Sequence, residues 1–408
     1  MNPSIENVGL EPATPIAIPS ANLAPGGKVT TRVIRTLSEI EDIRPSWESW
    51  QYHPNADIDF YLWFSRQGRE ILRPHVIVVY RGGYPDAMLI GRVIDGTMAL
   101  GLGYKKLWKP RVRLLNFVYG ALLGNACSEN TEAMVSSVRD ALREYEADAA
   151  VFNFVGLDSA LYSHVLRSPG WAARDYCPTV QTHWSMKLPG TVEEVYRGLS
   201  GDHRSEIRRK AKKLTGDYAG NIRVRCLRET ADLDLLFRDV EEVARKTYQR
   251  GLGVGFVDTT EMRQRLQLEA EKGWLRTYIL YAANLPCAFW MGTVYRGKFY
   301  SDCLGYDPSY EKYSPGTFLL NAMIEDSCRE GIEQVDFGLG DARYKQRFGN
   351  CSWQEVTAYI YGPSWRGLRV NALRTPAAFL DRLTKQALDR TNLLPKIKKL
   401  WRNRLRQL

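Results

Sequence analysis

An order of secondary-structure elements that occurs twice places the strongest constraint on how this chain folds. In each half, the pattern of apolar residues predicts a strand, two helices, antiparallel strands, a helix, a strand, a helical piece and a final strand. No residue-level repeat accompanies this order, so the duplication depends on the elements alone. The order predicts an α/β chain of the mixed α+β type. We expect two tandem domains, each with a mixed, mostly antiparallel sheet flanked by helices.

Alternating and helical patterns define the elements of the first half. The predicted strands are Thr31–Thr36, His75–Arg81, Ala87–Asp95, Ala149–Val155 and Thr182–Leu188, and the predicted helices are Ser38–Tyr52, Phe60–Arg69, Asn130–Glu146 and Asp158–Leu166. The pair Gly82-Gly83 indicates a hairpin turn between the second and third strands.

The second half repeats the order after a basic helical segment at Thr191–Leu214. The predicted strands are Asn221–Leu227, Arg276–Ala283, Ala288–Arg296, Phe299–Gly305, Gln334–Phe337 and Glu355–Tyr361, and the predicted helices are Thr230–Arg250, a helix that ends near Gly273 and Gly316–Arg329. Asp258 and Glu261 are the expected capping box of the helix that ends near Gly273.

The length of 408 residues suffices for two domains with a core each. We expect the domains at residues 29–189 and 218–365, joined by a basic helical linker at 190–217. Residues 1–28 are rich in proline and small residues, which predicts a disordered arm. Residues 366–408 are expected to form a helical basic tail.

The net charge of +10 is concentrated at one end of the chain. Residues 385–408 hold eight Lys or Arg and a single acid, Asp389, and therefore supply seven of the ten net charges. The body of the protein is nearly neutral, which argues against a DNA-binding function.

Cysteine usage and the N-terminal sequence predict a cytoplasmic protein. Seven cysteines are scattered without a CxxC pair, which is typical of free thiols in a reducing compartment. The first 27 residues lack both a positive charge and a continuous apolar run, so no signal peptide is expected. No apolar stretch is long enough to predict a membrane span.

The segment Tyr313–Thr317 is the first candidate for a ligand site. A predicted strand ends at Gly305, and a helix follows from Gly316, whose first N–H groups would be unpaired and partly positive. Such a helix end suits a pyrophosphate, with Gly316 allowing close approach and Thr317 adding a hydroxyl. The alternative is an ordinary Pro-Gly turn that starts an amphipathic helix.

Asp302 lies on the strand that leads to this loop. By alternation it shares a face with Tyr300, Leu304 and Tyr306. A carboxylate on a buried strand needs a partner or an open cleft, and a raised pKa would suit it to act as a general base. A structural, salt-bridged aspartate is the alternative.

A second group of candidates follows the strand that contains Asp336. Gly338 and Gly340 leave room near the backbone at the end of this strand. The polar side chains that come next are Asp341, Tyr344, Lys345 and Arg347. Their crowding predicts a site, with a polar helix cap as the alternative.

Other patterns narrow the chemistry. The cations of residues 204–213 would suit phosphates of a cofactor or of tRNA, or simply form a solvated helical face. The chain has no GxxxxGK[ST], GxSxG or HExxH motif, and its five histidines lack metal-ligand spacing. ATP hydrolysis, serine hydrolysis and zinc chemistry are therefore disfavoured, and no metal is expected.

Two segments resemble a known family. GYDPSYEKYSPGTFLLNAMIEDSCREG followed by VDFGLGDARYKQRFG, together with HRSEIRRKAKKL at 203–214, resembles the BioF2-like acetyltransferases of the GNAT superfamily. That branch includes CelD-type proteins of cellulose and exopolysaccharide synthesis, and it is related to the FemABX transferases with tandem GNAT domains. The likeness extends over roughly residues 180–362.

The resemblance implies two GNAT-like domains and an acyl-CoA donor, such as acetyl-CoA. It places the donor pyrophosphate at Tyr313, Ser314, Pro315, Gly316 and Thr317. In such chemistry an oriented amine or hydroxyl attacks a thioester while a backbone N–H holds the oxyanion.

The remaining roles follow within the same interpretation. Asp302 is expected to be a base or an acceptor anchor, Asp336 and Asp341 acceptor anchors, and Tyr344 a proton donor to the leaving thiolate. The substrate-binding residues are expected to be Tyr306, Lys345 and Arg347.

Two alternatives stay open beside this acyltransferase. The segment Tyr313–Gly316 keeps one glycine of the usual GNAT phosphate loop, so a Fem-like enzyme that uses aminoacyl-tRNA is the second hypothesis. A non-catalytic scaffold for a polysaccharide synthase is the third.

The family's association with exopolysaccharide suggests a sugar or lipid-linked glycan as the acceptor. After Pro395, apolar residues at 397, 400, 401, 405 and 408 would form a stripe beside the cations of the tail. Such a helix suits the inner face of an anionic membrane, with a frayed terminus as the alternative.

Overall fold

The computed structural model describes residues 27–68, 70–98, 100–102, 105–251 and 253–390. The chain divides into two compact units that are discontinuous in sequence. Their described residues are 27–181 and 354–390 in the N-terminal unit, and 182–353 in the C-terminal unit. The predicted domain boundaries stay a prediction. Most of the predicted arm and the tail beyond residue 390, including its apolar stripe, lie outside the described residues.

Strands and helices alternate through the first part of the chain. In chain order they are β1 (Val29–Ile34), α1 (Leu37–Asp42), α2 (Arg44–Trp50), α3 (Ile58–Gln67), β2 (Ile71–Arg81), β3 (Tyr84–Thr97), β4 (Leu100–Leu102), β5 (Lys105–Trp108), β6 (Arg111–Gly124), α4 (Ser128–Arg143), β7 (Ala149–Gly156), α5 (Ala160–Arg167) and β8 (Thr179–Lys187).

The second part of the chain begins with two helices and ends with the longest one. Its elements are α6 (Val192–Gly198), α7 (Gly201–Asp217), β9 (Ile222–Leu227), α8 (Leu233–Ala244), α9 (Tyr248–Gly251), α10 (Thr260–Glu271), β10 (Leu275–Ala282), β11 (Leu285–Tyr295), β12 (Lys298–Tyr306), α11 (Pro315–Arg329), β13 (Gln334–Leu339), α12 (Arg343–Phe348), β14 (Cys351–Tyr361) and α13 (Trp365–Arg390).

The two units have the same pattern of strand pairing. The N-terminal unit has the strand order β1-β2-β3-β6-β7-β14, and the C-terminal unit has β9-β10-β11-β12-β13-β8. In both, the fourth and fifth strands are parallel and the other neighbours are antiparallel. The mixed α/β fold with mostly antiparallel sheets flanked by helices is therefore confirmed.

The sheet of the C-terminal unit buries both of its faces. One face packs under α6, α7 and α11, with Trp290, Phe299 and Val335 in its core. The other face packs under α8 and α10, with Phe289 and Met291 in its core. These two faces, called the α11 face and the α10 face below, decide where each candidate side chain points.

Several predicted element ends differ from the structure. The predicted helix at Ser38–Tyr52 is two helices, α1 and α2, and Pro45 lies in the first turn of the second. The predicted helix at Thr230–Arg250 is interrupted after Ala244.

The predicted capping box of α10 is wrong. Thr259 is the cap, since its hydroxyl accepts the N–H of Met262, while Asp258 pairs with Arg263 at 2.7 Å. The long strand β6 and the short helix α12 had no counterpart among the predicted elements. No described helix combines the length and the apolar composition needed to cross a bilayer.

Candidate active site

A β-bulge interrupts the pairing of β12 with β11 at Asp302. Ser301 lies opposite Gly292 and Cys303 lies opposite Met291, so Asp302 is the extra residue on its strand. A bulge of this kind breaks the alternation of side chains and increases the local twist. Residues beyond it therefore point to the opposite face from the one that simple alternation predicts.

Asp302 points to the α10 face of the sheet. Its carboxylate contacts the Arg265 guanidinium at 2.8 Å, and the same guanidinium contacts Glu269 at 2.8 Å. Leu304 and Tyr306 pack on the α11 face instead. The prediction that Asp302 shares a face with these two residues is therefore wrong, because the bulge was not foreseen.

The Glu269 carboxylate is the buried member of this charge network. One oxygen accepts from Arg265, and the other accepts the Thr293 hydroxyl at 3.1 Å. Burial raises the pKa of Glu269, while the positive charge of Arg265 opposes that rise. Asp302 is thus held in an ion pair, as in the structural alternative considered for it.

The parallel strands β12 and β13 diverge within the C-terminal unit. Their ladder covers three residue pairs, from Lys298 opposite Gln334 to Tyr300 opposite Asp336. Beyond Tyr300, β12 continues for six residues to Tyr306 with β11 as its neighbour on the other side. Beyond Tyr300, β12 therefore has no ladder with β13 on that side, and the Leu304 carbonyl accepts from the Gln249 side-chain amide at 3.4 Å. A strand edge without a ladder partner is where an extended ligand chain can hydrogen-bond.

Aromatic side chains pack on the α11 face beside this divergence. The Trp290 indole N–H donates to the Ser301 hydroxyl at 3.0 Å, and the ring meets Tyr344 edge-on at 5.4 Å. The Phe337 ring also meets the Tyr344 ring edge-on, at 5.8 Å between centres. Burial, with a smaller effect from Tyr248, raises the pKa of Tyr344, so its phenol stays protonated at neutral pH.

The predicted phosphate loop is a tight turn that leads into α11. Ser314 has φ 55° and ψ 55°, a left-handed conformation, and Pro315 follows it as the first helical residue. Ser314 N–H donates to the Glu311 carbonyl, and the Thr317 and Phe318 N–H groups donate to the Ser314 carbonyl. Most amides of this first turn are therefore bonded, in contrast to the expectation of several unpaired groups.

Gly316 is the open position of that turn. A Cβ atom built on Gly316 would meet nothing within 4 Å, and no hydrogen bond of its N–H occurs among the described residues. Space is therefore open on the Cβ side of Gly316, and its N–H is available to an acceptor such as a phosphate. Pro315 has no N–H, and Thr317 keeps a partly exposed side chain.

Tyr313 supports the turn from inside. Its ring is buried, and its hydroxyl donates to Asp217 of α7 at 2.7 Å. Two ammonium groups lie over the ring, Lys312 at 4.7 Å and Lys213 at 5.9 Å from its centre. The basic helix α7 thus brings positive charge to the start of α11.

Asp336 forms a short contact with a histidine that no sequence pattern had selected. Its carboxylate lies 2.7 Å from His183 Nε2 and accepts the Gly338 N–H at 2.8 Å. The buried His183 ring stacks on Trp353 at 4.2 Å between centres. Asp336 points away from Val335 and Phe337, as alternation predicted.

Asp341 and Lys345 lie around the end of the same strand. The Trp184 indole N–H donates to Asp341 at 2.9 Å, and the Lys345 ammonium donates to the Leu339 carbonyl at 2.7 Å. Burial lowers the pKa of Lys345 to about 8, although the charges of Asp336 and Asp341 oppose that shift.

Outside the Tyr313–Thr317 turn, the predicted site residues therefore fall into four places. Asp336, Asp341 and Lys345 surround the end of β13, and Tyr344 is near them on the α11 face. Arg347 pairs with Glu206 of α7 at 3.1 Å, and Tyr306 lies at the end of β12 opposite Ala288. Asp302 lies on the other face of the sheet and does not join them.

Among the described residues, no group of three or more His, Cys, Asp or Glu side chains could hold a metal ion. The expectation that the reaction needs no metal stays a prediction.

The match to a known family lies within the C-terminal unit. The family described as acetyltransferase (GNAT) domain matches residues 201–346, from the start of α7 into α12. This stretch of the chain is therefore similar to a GNAT-type acetyltransferase domain. A search of the curated proteins finds no match.

Similar solved structures extend over most of the chain. A crystal structure of FemX is 11% identical, with 81% of this chain and 97% of FemX covered and a TM-score of 0.50. A tandem GNAT protein from the clavulanic acid biosynthesis pathway is 11% identical, with 83% and 100% covered and a TM-score of 0.47.

A third similar structure is the C-terminal domain of a putative lysylphosphatidylglycerol synthetase from Agrobacterium fabrum. It is 12% identical, with 74% of this chain and 86% of that chain covered and a TM-score of 0.44. At such low identity, the likeness to FemX concerns the fold alone. The BioF2-like branch itself stays a prediction.

Proposed function

We propose that the C-terminal unit transfers an acyl group from an acyl-CoA thioester to an amine or hydroxyl. The observation that carries the proposal is the divergence of β12 from β13, together with the first turn of α11, where the Gly316 N–H has no hydrogen bond among the described residues. The extended thioester arm of the donor would hydrogen-bond along the edge of β12 beyond Tyr300, where β13 is no longer its neighbour. The pyrophosphate of the donor would lie at Gly316 and Thr317. The cations Lys213 and Lys312 would add favourable charge there.

The reaction itself needs a held carbonyl and a proton for the leaving thiolate. Backbone N–H groups on the free edge of β12 are suited to hold the developing oxyanion. Tyr344 is suited to give its proton to the thiolate, because burial keeps the phenol protonated. The resulting phenolate takes up the proton that the acceptor amine or hydroxyl loses, so that the step balances. We assign Asp302 to positioning β12 instead of proton removal, since it lies on the α10 face in an ion pair.

The end of β13 is the proposed acceptor side. Asp336, Asp341 and Lys345 would anchor polar groups of the acceptor there, with Tyr306 and Arg347 at its margins. A sugar or a lipid-linked glycan precursor is the acceptor that the BioF2-like resemblance suggests. An acyl-CoA donor places the proposed reaction in the cytoplasm, at the inner face of the membrane if the acceptor is lipid-linked.

A thermal-shift and calorimetric titration with a panel of acyl-CoAs tests the proposal. A ligand at a hundredfold excess over its Kd stabilises the protein by about 2.7 kcal/mol, which raises the melting temperature by several degrees. Gly316→Val should abolish this response, because its side chain would fill the open space on the Cβ side of Gly316 that the proposed phosphate needs.

Gly201→Val provides the matched control. Gly201 also lies in the first turn of a helix, and a Cβ built there likewise meets nothing within 4 Å. This variant should bind acyl-CoA as the wild type does. No response to any acyl-CoA, or equal responses of the two variants, would contradict the proposed donor site.

One observation favours a second candidate function, transfer from an aminoacyl-tRNA. Helix α7 exposes Arg208, Arg209, Lys212 and Lys213, and its end contacts the turn before α11. Such a surface would bind tRNA in a salt-dependent way. Retention of tRNA on the purified protein at low salt, together with no acyl-CoA response, would favour this candidate.

A further inference from the structure

Helix α13 of the N-terminal unit exposes an apolar stripe along its length. Trp365, Phe379, Leu380 and Leu383 are 77%, 53%, 55% and 46% exposed. Together with other exposed residues between them, these side chains recur along the helix at spacings of three and four residues. The exposed positions on this stripe are Trp365, Leu368, Ala372, Pro376, Phe379, Leu380 and Leu383. Such spacing places them on a single side of an α-helix.

The opposite side of the same helix is anchored to the unit. The Asn371 amide donates to the Ala172 carbonyl at 2.9 Å, and Arg374 pairs with the buried Asp175 at 2.7 Å. Val370 is buried in a small apolar cluster with Tyr361. The helix is therefore fixed with its apolar stripe facing outward. In most surface helices the apolar stripe faces the core instead.

A cluster of cations follows the residues of this stripe in the sequence. The sequence from residue 385 to 408 carries eight Lys or Arg and one acid. An apolar stripe with aromatic residues, continued by a dense run of cations, matches the requirements of an anionic bilayer surface. A second copy of the chain fits less well, because two such cationic segments would repel each other.

We propose that the outward stripe of α13 binds the surface of an anionic membrane. From Pro376 to Arg390 the helix has 15 residues, a length of about 22 Å at 1.5 Å per residue, and can lie parallel to the lipid surface. Phe379, Leu380 and Leu383 enter the boundary between headgroups and acyl chains, while the cations contact anionic headgroups. This interaction is independent of the proposed transfer reaction.

Co-sedimentation of the full-length protein with lipid vesicles tests the proposal. We expect binding to vesicles of phosphatidylcholine with phosphatidylglycerol, little binding to phosphatidylcholine alone, and weaker binding as salt increases. Phe379→Glu and Leu383→Glu should each reduce the vesicle-bound to free ratio by roughly tenfold. Circular dichroism should show that both variants stay folded, since the residues are exposed.

Leu285→Glu is the matched control, because Leu285 is 57% exposed on a hairpin of the C-terminal unit. It should bind vesicles as the wild type does. Equal binding to neutral and anionic vesicles, or unchanged binding of Phe379→Glu and Leu383→Glu, would overturn the proposal. So would a wild-type dimer in sedimentation velocity that Phe379→Glu dissociates without any vesicle binding, which would make the stripe an interface between copies.

Discussion

Replacing Arg265 with Met should destabilise the C-terminal unit in a pH-dependent way. Arg265 joins Glu269, which is 4% exposed, to Asp302, which is 34% exposed, at the bulge of β12. Met keeps most of the side-chain volume but removes the positive charge. Glu269 then stays buried with only the Thr293 hydroxyl as a neutral partner, whereas Asp302 remains accessible to water.

The magnitude follows from the burial of the two carboxylates. Removing one partner of a buried ion pair costs about 3–5 kcal/mol. We expect the lower end, about 3 kcal/mol at neutral pH, because the Arg265 side chain is itself 27% exposed and Asp302 can be solvated.

The sign of the pH dependence follows from Glu269. Its folded pKa is already raised by burial, and loss of Arg265 raises it further. An acid with a raised folded pKa stabilises the fold when protonated, and this stability is lost as the pH rises through that pKa. The cost of Arg265→Met should therefore shrink between about pH 7 and about pH 5.

Urea unfolding at the two pH values measures this cost, with hydrogen exchange of β11 and β12 as the local readout. Arg265→Met with Glu269→Gln should recover most of the loss, because no unpaired charge stays buried. Arg263→Met is the control on the same helix: its ion pair with Asp258 is at the surface and should contribute at most about 1 kcal/mol. A cost that is equal at both pH values, or no recovery in the double variant, would refute this account.

Two further predictions concern residues around the candidate site. Lys345 has a folded pKa of about 8, against 10.5 for a free lysine. Between these pH values the unfolded state binds more protons than the folded state. The unfolding free energy should therefore rise with pH in this range, by up to about 3 kcal/mol. Lys345→Met should lack this rise in pH-dependent unfolding, and an identical pH profile of the two proteins would contradict it. Ser314 has a left-handed backbone conformation, which strains a residue with a Cβ atom. Ser314→Gly should therefore increase the unfolding free energy by about 1 kcal/mol, and Ser314→Val should lower it. A different ranking of the three proteins in thermal unfolding would contradict this backbone strain.

Local patterns in the sequence were sufficient for the elements around the site. The strands predicted at Arg276–Ala283, Ala288–Arg296 and Phe299–Gly305 correspond to β10, β11 and β12, and the helix predicted from Gly316 corresponds to α11. The turn between β12 and α11 was also foreseen, because proline and glycine in SPG mark it chemically. Alternation, helical spacing and turn residues are properties of neighbouring positions, so the sequence displays them directly.

The tertiary structure decided which side chains are paired and which strands from distant parts of the sequence join the same sheet. The bulge at Asp302 arises from its register against β11, and the partner of Asp336 is His183, 153 positions earlier. The sixth strand of each sheet comes from the other half of the sequence, β14 for the N-terminal unit and β8 for the C-terminal unit. These features require contacts between distant parts of the chain, whose energies no local pattern records. The sequence by itself therefore determined the elements and the candidate residues, while the folded sheet decided which of those residues meet.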